Sequence, residues 1–194
     1  PALLQSRAPI VLLQEVDTPE AIVELLKAQA WGAGYYLEFG ASVPLDKLGN
    51  MGRRVAVLSK YKLHPLREHD DPHTAMLIAS GRWLECRVPI GDGSKYVFVA
   101  SGYGIPGASS GSFEKIQTNE LFAAMFTRMR ALYTSPYILG ADVNQLPEGV
   151  NAVREARDAG VAYDVFVDRI DKAELKPTFY SMAGGYQPTC DLEG

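Results

Sequence analysis

Arg82-Trp83-Leu84-Glu85-Cys86-Arg87-Val88, then Gly91-Asp92-Gly93, then Tyr96-Val97-Phe98-Val99-Ala100 is the stretch that decides the fold. Two apolar runs of strand length flank a Gly-Asp-Gly element. Glycine takes the positive φ that tight turns need, so a hairpin is predicted there. Upstream, Arg54 to Leu58 and Ala75 to Ala79 read as further strands, and Ile10-Val11-Leu12-Leu13 as another, closed by Gln14-Glu15. Thr18, Pro19 and Glu20 predict a helix start: a hydroxyl for the N-cap, a proline for the first turn and an acid for the dipole. Ile22, Val23, Leu25, Leu26 and Ala30 would form its apolar stripe. Downstream of a Gly/Ser-rich loop (104 to 112) comes the longest helix, with Phe122, Met125, Phe126, Met129, Leu132 and Tyr133 at spacings of three and four. Pro136 ends it. Tyr137 to Ala141 is a buried strand, Val150 to Ala159 a shorter helix, and Pro177 to Tyr180 a last strand. Hairpin-linked strands between helices do not fit a doubly wound parallel sheet. They predict an α/β sandwich, with mixed sheets packed on one another and helices outside.

Composition agrees. Of 194 residues, 47% are hydrophobic and 22% charged, which is ordinary for a globular chain and excludes a disordered or fibrous protein. The length suits one domain over residues 1–194. Lys plus Arg total 19 against 23 Asp plus Glu, a formal charge of −4, and no basic stripe is visible, so electrostatic wrapping of nucleic acid is disfavoured. Cys86 and Cys190 are too few for a zinc cluster or a stapled module, and favour a reducing, intracellular setting. No apolar run approaches the length of a membrane span. A monomer is expected.

The chemistry lies at strand ends. One run closes at Glu15, another leads into Tyr103, and a third ends in Asp142-Val143-Asn144. Neighbouring strands lie about 5 Å apart, so such groups can converge at one rim of a sheet. Asp142 and Asn144 are two apart and share a face on extended backbone. Two acids and an amide suit a hard cation such as Mg²⁺, which takes only one or two carboxylates and keeps waters and substrate phosphates. Singly, each residue has a plainer role: Asp142 can cap a turn, Tyr103 can be a core aromatic, and Glu15 can be solvated.

The ordered set resembles the endonuclease/exonuclease/phosphatase superfamily, the group of DNase I, the abasic-site endonucleases and the inositol-polyphosphate phosphatases. The segments that carry the likeness are Val11-Leu12-Leu13-Gln14-Glu15, Gly52 to Lys60, Tyr96 to Pro106, Ile138-Leu139-Gly140-Ala141-Asp142-Val143-Asn144 and Pro177-Thr178-Phe179. The resemblance implies a DNase I-like sandwich of two mixed sheets, incomplete at both ends, and a metal-dependent phosphoesterase. It implies Mg²⁺ as cofactor, with Mn²⁺ the alternative, and Glu15 as metal ligand. Asp142 would position or deprotonate the attacking water, Asn144 would bind the phosphate, Tyr103 would stabilise charge on it, and Asp191 would orient a catalytic group. The implied partner is a phosphate ester: nucleic acid, a phosphorylated small molecule or a lipid headgroup.

Two family elements are missing from the sequence, an opening strand ending in Asn and a closing Ser-Asp-His. His64, His69 and His73 lie far upstream of where that histidine belongs and read as surface residues. A catalytically silent binding or scaffold domain is therefore the second expectation. A nucleotide-hydrolysing ATPase is disfavoured by the lack of a G-x-x-x-x-G-K-[ST] loop.

Overall fold

The computed structural model describes residues 8–42, 54–108, 112–132, 134–144 and 149–160. Its elements run β1 (Ile10–Val16), a 3₁₀ turn (Glu20–Ile22), α1 (Val23–Gly32), β2 (Tyr36–Phe39), β3 (Arg54–Ser59), β4 (His64–Pro65) and α2 (Pro72–Ala79). They continue with β5 (Trp83–Ile90), β6 (Lys95–Tyr103), α3 (Ser112–Ala131), β7 (Tyr137–Asp142) and α4 (Asn151–Asp158). The chain divides into two compact units, Pro1–Val153 and Arg154–Gly194.

Two sheets form. One has the order β1-β3-β2 with both pairings antiparallel; the other has the order β4-β5-β6-β7, antiparallel except for the parallel pair β6–β7. β3 is buried at every position because both its faces are covered. Val55 and Val57 point between the sheets, where they meet Leu84, Cys86, Val88, Val99 and Tyr103, with Ile10 and Leu12 alongside. Ala56 and Leu58 point outward under α1, packed with Val23 and Phe39 and with Ala30 and Tyr35 respectively. On the far side of the second sheet, Trp83 and Ala100 pack against Leu121, Phe122, Ala124 and Met125 of α3 and Leu77 of α2. The layers are helix, sheet, sheet, helix, as the hairpin-centred reading requires. Gly140 permits close approach of the sheets: a Cβ there would lie 2.7 Å from Leu12 Cδ1. Burial pushes the Cys86 thiol, fixed between the sheets, up to about 12.

Some local expectations are corrected. Ala75–Ala79 is not a strand but the body of α2. Five apolar residues fit either period, and the deciding signal lies upstream: Asp71 accepts the Thr74 amide at 2.7 Å and its hydroxyl at 2.8 Å, and Pro72 opens the helix. Thr18 does not cap a helix. It is buried, and its carbonyl accepts Arg54 Nη2 at 2.8 Å, while a 3₁₀ turn intervenes before α1. That turn shifts the helical phase, so Val23, Leu26 and Ala30 pack inward and Ile22 and Leu25 face solvent. The short strands β2 and β4 were not predicted. His64 sits on β4 and His73 on α2, while His69 is half-buried beside Arg128. Tyr133, the 177–180 strand and Asp191 lie outside the described residues. No helix among the described residues is long and apolar enough to cross a membrane.

A buried charge joins α3 to the second sheet. Glu85, 1% exposed, pairs with Arg128 at 2.8 Å and accepts the Tyr137 hydroxyl at 2.9 Å. Burial, and then the Glu85 charge, push the Tyr137 phenol far up, so it serves only as a neutral donor. Removing one partner of such a pair strands the other charge. Arg128→Met is therefore expected to lower the unfolding free energy by about 3–5 kcal/mol in urea titrations. Acid acts elsewhere. The Thr74 amide and hydroxyl hold the Asp71 carboxyl below its ordinary 3.8. A depressed folded value gives stability that is full above the unfolded value and lost as pH falls through the folded one. The stability gap between the native protein and Asp71→Ala should thus be widest near neutral pH and close in strong acid, as read by thermal unfolding across pH.

Candidate active site

The site begins with a fault in β1. Leu13 pairs with Ala56 and Val16 with Arg54, so β1 advances three residues while β3 advances two. Regular alternation would send Leu12 and Gln14 inward and Leu13 and Glu15 outward. The extra residue cancels that. Leu13 and Val16 both pack on the outer, α1 side, and the two residues between them aim inward. Gln14 Nε2 donates to Ser101 Oγ at 2.9 Å and to the Gly140 carbonyl at 3.2 Å. Glu15 accepts the Tyr103 hydroxyl. The bulge is made by Glu15 itself, at φ 52. A left-handed conformation costs a side-chain-bearing residue about 1–2 kcal/mol, and such bulges re-aim side chains beside active sites.

The opposing wall is the parallel pair β6–β7, in which Tyr103 lies in register with Asp142. The pairing runs one step further, Gly104 N–H donating to the Asp142 carbonyl at 2.7 Å. The Tyr103 ring is fully buried in the core between the sheets, and only its hydroxyl reaches the rim. Beyond Asp142 the chain turns at Asn144, φ 57, whose N–H donates to Asp142 Oδ1 at 2.9 Å and whose Nδ2 donates to the Gly104 carbonyl at 3.0 Å. Asn tolerates this conformation best after glycine. Glu15 and Asn144 are the two non-glycine residues with positive φ among the described residues, and both stand at this rim. Position 104 requires glycine, since a Cβ there would lie 2.5 Å from the Val143 carbonyl oxygen.

Four of the five residues singled out in the sequence thus meet at one end of the sandwich: Glu15 on Tyr103 by hydrogen bond, Tyr103 beside Asp142 by register, and Asn144 on Asp142 and Gly104. The fifth, Asp191, lies outside the described residues. Three contributors escaped the sequence reading. Gln14 and Ser101 tie β1 to β6 and β7, with Ser101 Oγ also donating to the Leu13 carbonyl at 2.8 Å. Arg82 donates to the Gly104 carbonyl at 2.9 Å. The consecutive polar pair Gln14-Glu15 was a usable signal, because two inward polar residues in succession require a bulge; Arg82 carried none.

The donors at the rim are oxygens of Glu15, Asp142 and Asn144, the hard set that suits Mg²⁺ or Mn²⁺. No group of three or more His, Cys, Asp or Glu able to hold a metal occurs among the described residues. The described set suits a cation held by one or two carboxylates and completed by water and phosphate.

Backbone strain gives a test free of any assay of function. Glu15→Gly and Glu15→Ala both remove the carboxylate, but only glycine relaxes at φ 52. The glycine variant should be the more stable by about 1 kcal/mol in chemical denaturation. The same ordering is expected for Asn144→Gly over Asn144→Ala.

No protein-family model matches the sequence, and a search of curated proteins finds no match. Solved structures do match by fold. The human Nocturnin catalytic domain, with bound sulfate anion, superposes with TM-score 0.56 at 15% identity, over 79% of this chain and 57% of that one. The 3′ phosphatase NExo from Neisseria, bound to product DNA hairpin, gives 0.54 at 19% identity, over 75% and 51%. The 2′,3′-cyclic phosphatase ANGEL2, in complex with adenosine-2′,3′-vanadate, gives 0.50 at 17% identity, over 75% and 42%. The chain spans about half the length of these structures. The chain shares with them the DNase I-like fold, two packed sheets flanked by helices.

Proposed function

We propose that the protein is a metal-dependent phosphoesterase whose reaction takes place at the Glu15–Tyr103–Asp142–Asn144 rim. One observation carries this reading: a strained bulge turns a carboxylate inward onto the hydroxyl of Tyr103, beside a second carboxylate held in register on the next strand. A glutamate held at positive φ is uncommon, and such strain gathers at functional sites. Glu15 would hold Mg²⁺, with Mn²⁺ as substitute. When bound, the cation neutralises charge on the phosphoryl oxygens and helps a water to ionise.

The remaining steps belong to the chain. Asp142 accepts the proton of the attacking water. Its Oδ1 is held by the Asn144 amide, which fixes the plane of the carboxylate. A carboxylate has about four lone-pair sites, so that contact is compatible with a second one to water. The Asn144 NH₂ group carries two donors; one is spent on Gly104, and the other serves a phosphate oxygen. The Tyr103 phenol, with its ring immobilised in the core, donates to charge developing on the phosphoryl group, exchanging Glu15 for substrate. Fixed donors of this kind need no reorganisation at the moment of reaction.

The substrate is a phosphate ester. The structural neighbours include proteins described as a 3′ phosphatase with a product DNA hairpin and a 2′,3′-cyclic phosphatase, so nucleotide phosphates are the first class to test. The net charge of −4 points to a small or single-stranded ester over long duplex.

Turnover of bis-(p-nitrophenyl) phosphate, p-nitrophenyl phosphate and nucleoside 2′,3′-cyclic phosphates should require Mg²⁺ and vanish in EDTA. Asp142→Asn should lower kcat by about 100-fold or more. Undiminished turnover in Asp142→Asn or in EDTA would overturn the reading. Mg²⁺-dependent binding of inorganic phosphate with no turnover would replace it by the binding-domain alternative.

A further inference from the structure

Arg82 stands at the back of the rim, in a place that neither the motifs nor the proposed chemistry uses. It precedes β5, and its backbone carbonyl accepts the Tyr103 N–H at 2.9 Å, so main-chain pairing seats it beside the tyrosine. The side chain then returns to the same segment twice over. Its guanidinium lies 5.1 Å from the centre of the Tyr103 ring, and Nη1 donates to the carbonyl of Gly104, the next residue, at 2.9 Å. That carbonyl is also the acceptor for Asn144 Nδ2. One half-buried arginine therefore touches the ring of one rim residue and shares an acceptor with another.

The arrangement has a mechanical meaning. A phenol turns about two χ angles, and a core tyrosine is held only by the atoms around its ring. The guanidinium is planar and stacks on an aromatic face while its fork donates elsewhere, a combination Lys cannot supply. Here the face fixes the ring plane and the fork fixes the peptide that follows it. The phenolic O–H lies in the ring plane, so together they set the direction in which the hydroxyl donates its proton. The Gly104 carbonyl is held from two sides, by Arg82 and by Asn144.

We propose that Arg82 is a positioning residue of the phosphoesterase: it acts on the reaction through Tyr103 and the Gly104 carbonyl, without touching the substrate. The inference rests on the functional reading above. It predicts an effect on rate that exists only while the tyrosine hydroxyl is present. A displacement of about 1 Å at such a group can cost as much as 100-fold in rate, so Arg82→Met should lower kcat by about ten- to 100-fold, with KM changed less than about threefold. Arg82→Lys, which keeps the charge and loses the planar fork, should recover only a part.

The deciding measurement is a double-mutant cycle in the full protein with Mg²⁺, pairing Arg82→Met with Tyr103→Phe. In the Tyr103→Phe background, Arg82→Met should cost less than about threefold, because the group it positions is already gone. Losses that simply multiply would overturn the proposal, as would a change confined to KM. Circular dichroism and thermal unfolding accompany each variant, and Arg82→Lys carries the same cycle if Arg82→Met does not fold. The two readings fail separately. No turnover by the unmutated protein removes the phosphoesterase assignment and this role with it. Normal turnover with multiplicative losses removes the role of Arg82 alone.

Discussion

Everything at the rim depends on one residue too many in β1. A strand obeys a two-residue period, and a regular β1 would bury Gln14 between the sheets and leave Glu15 on the helix side. The bulge breaks that period once, at the last turn of the ladder, where few hydrogen bonds remain to be lost. Both polar residues then face the cleft, and each finds a partner on the other sheet. The left-handed φ of Glu15 is an unfavourable local term, offset by contacts that only the tertiary fold provides. An isolated strand of this sequence would have no reason to adopt it.

The opposite wall solves a different problem. Parallel strands end at the same side of a sheet, and β6 and β7 bring Tyr103 and Asp142 level without any special backbone. Their side chains point inward by ordinary alternation, as Val99 and Ser101 do on β6 and Gly140 does on β7. The polar ties among Gln14, Ser101, the Leu13 carbonyl and the Gly140 carbonyl fix the spacing of the sheets just beneath the rim. Apolar packing alone would hold the layers together but allow them to slide. Directional bonds in a half-buried setting set the registration that a shared site demands.

The layers and most of the strands were legible in the sequence because they follow from period and punctuation. Gly91-Asp92-Gly93 announced the hairpin, and its two glycines do take φ 61 and φ 85. The stripe on α3 announced a buried face, and Phe122 and Met125 fill it. Misreadings arose where two periods coincide, as at Ala75–Ala79, or where a 3₁₀ turn shifts the phase, as before α1. Strands as short as β4 carry too few residues to show a period at all. Of the site, the polar residues at strand ends were visible, since they interrupt apolar runs. Arg82 was not, because its role comes from main-chain pairing with a residue 21 positions away and from the face of a ring.

That difference separates two kinds of residue in a site like this one. Groups that meet substrate must stand at the ends of elements, where backbone leaves the sheet and side chains can reach the cleft, so they mark themselves in the sequence. Groups that aim those side chains sit one step behind, and any residue with the right reach can occupy the place. Tyr103 shows why such support matters. Burying its ring fixes where the hydroxyl oxygen sits, yet the O–H bond lies in the ring plane, so a turn of the ring about χ2 re-aims the proton it donates. A guanidinium over one face and an anchored peptide on the C-terminal side restrict that freedom. In the proposed reaction the rim side chains would supply the chemistry, and the contacts behind them its precision.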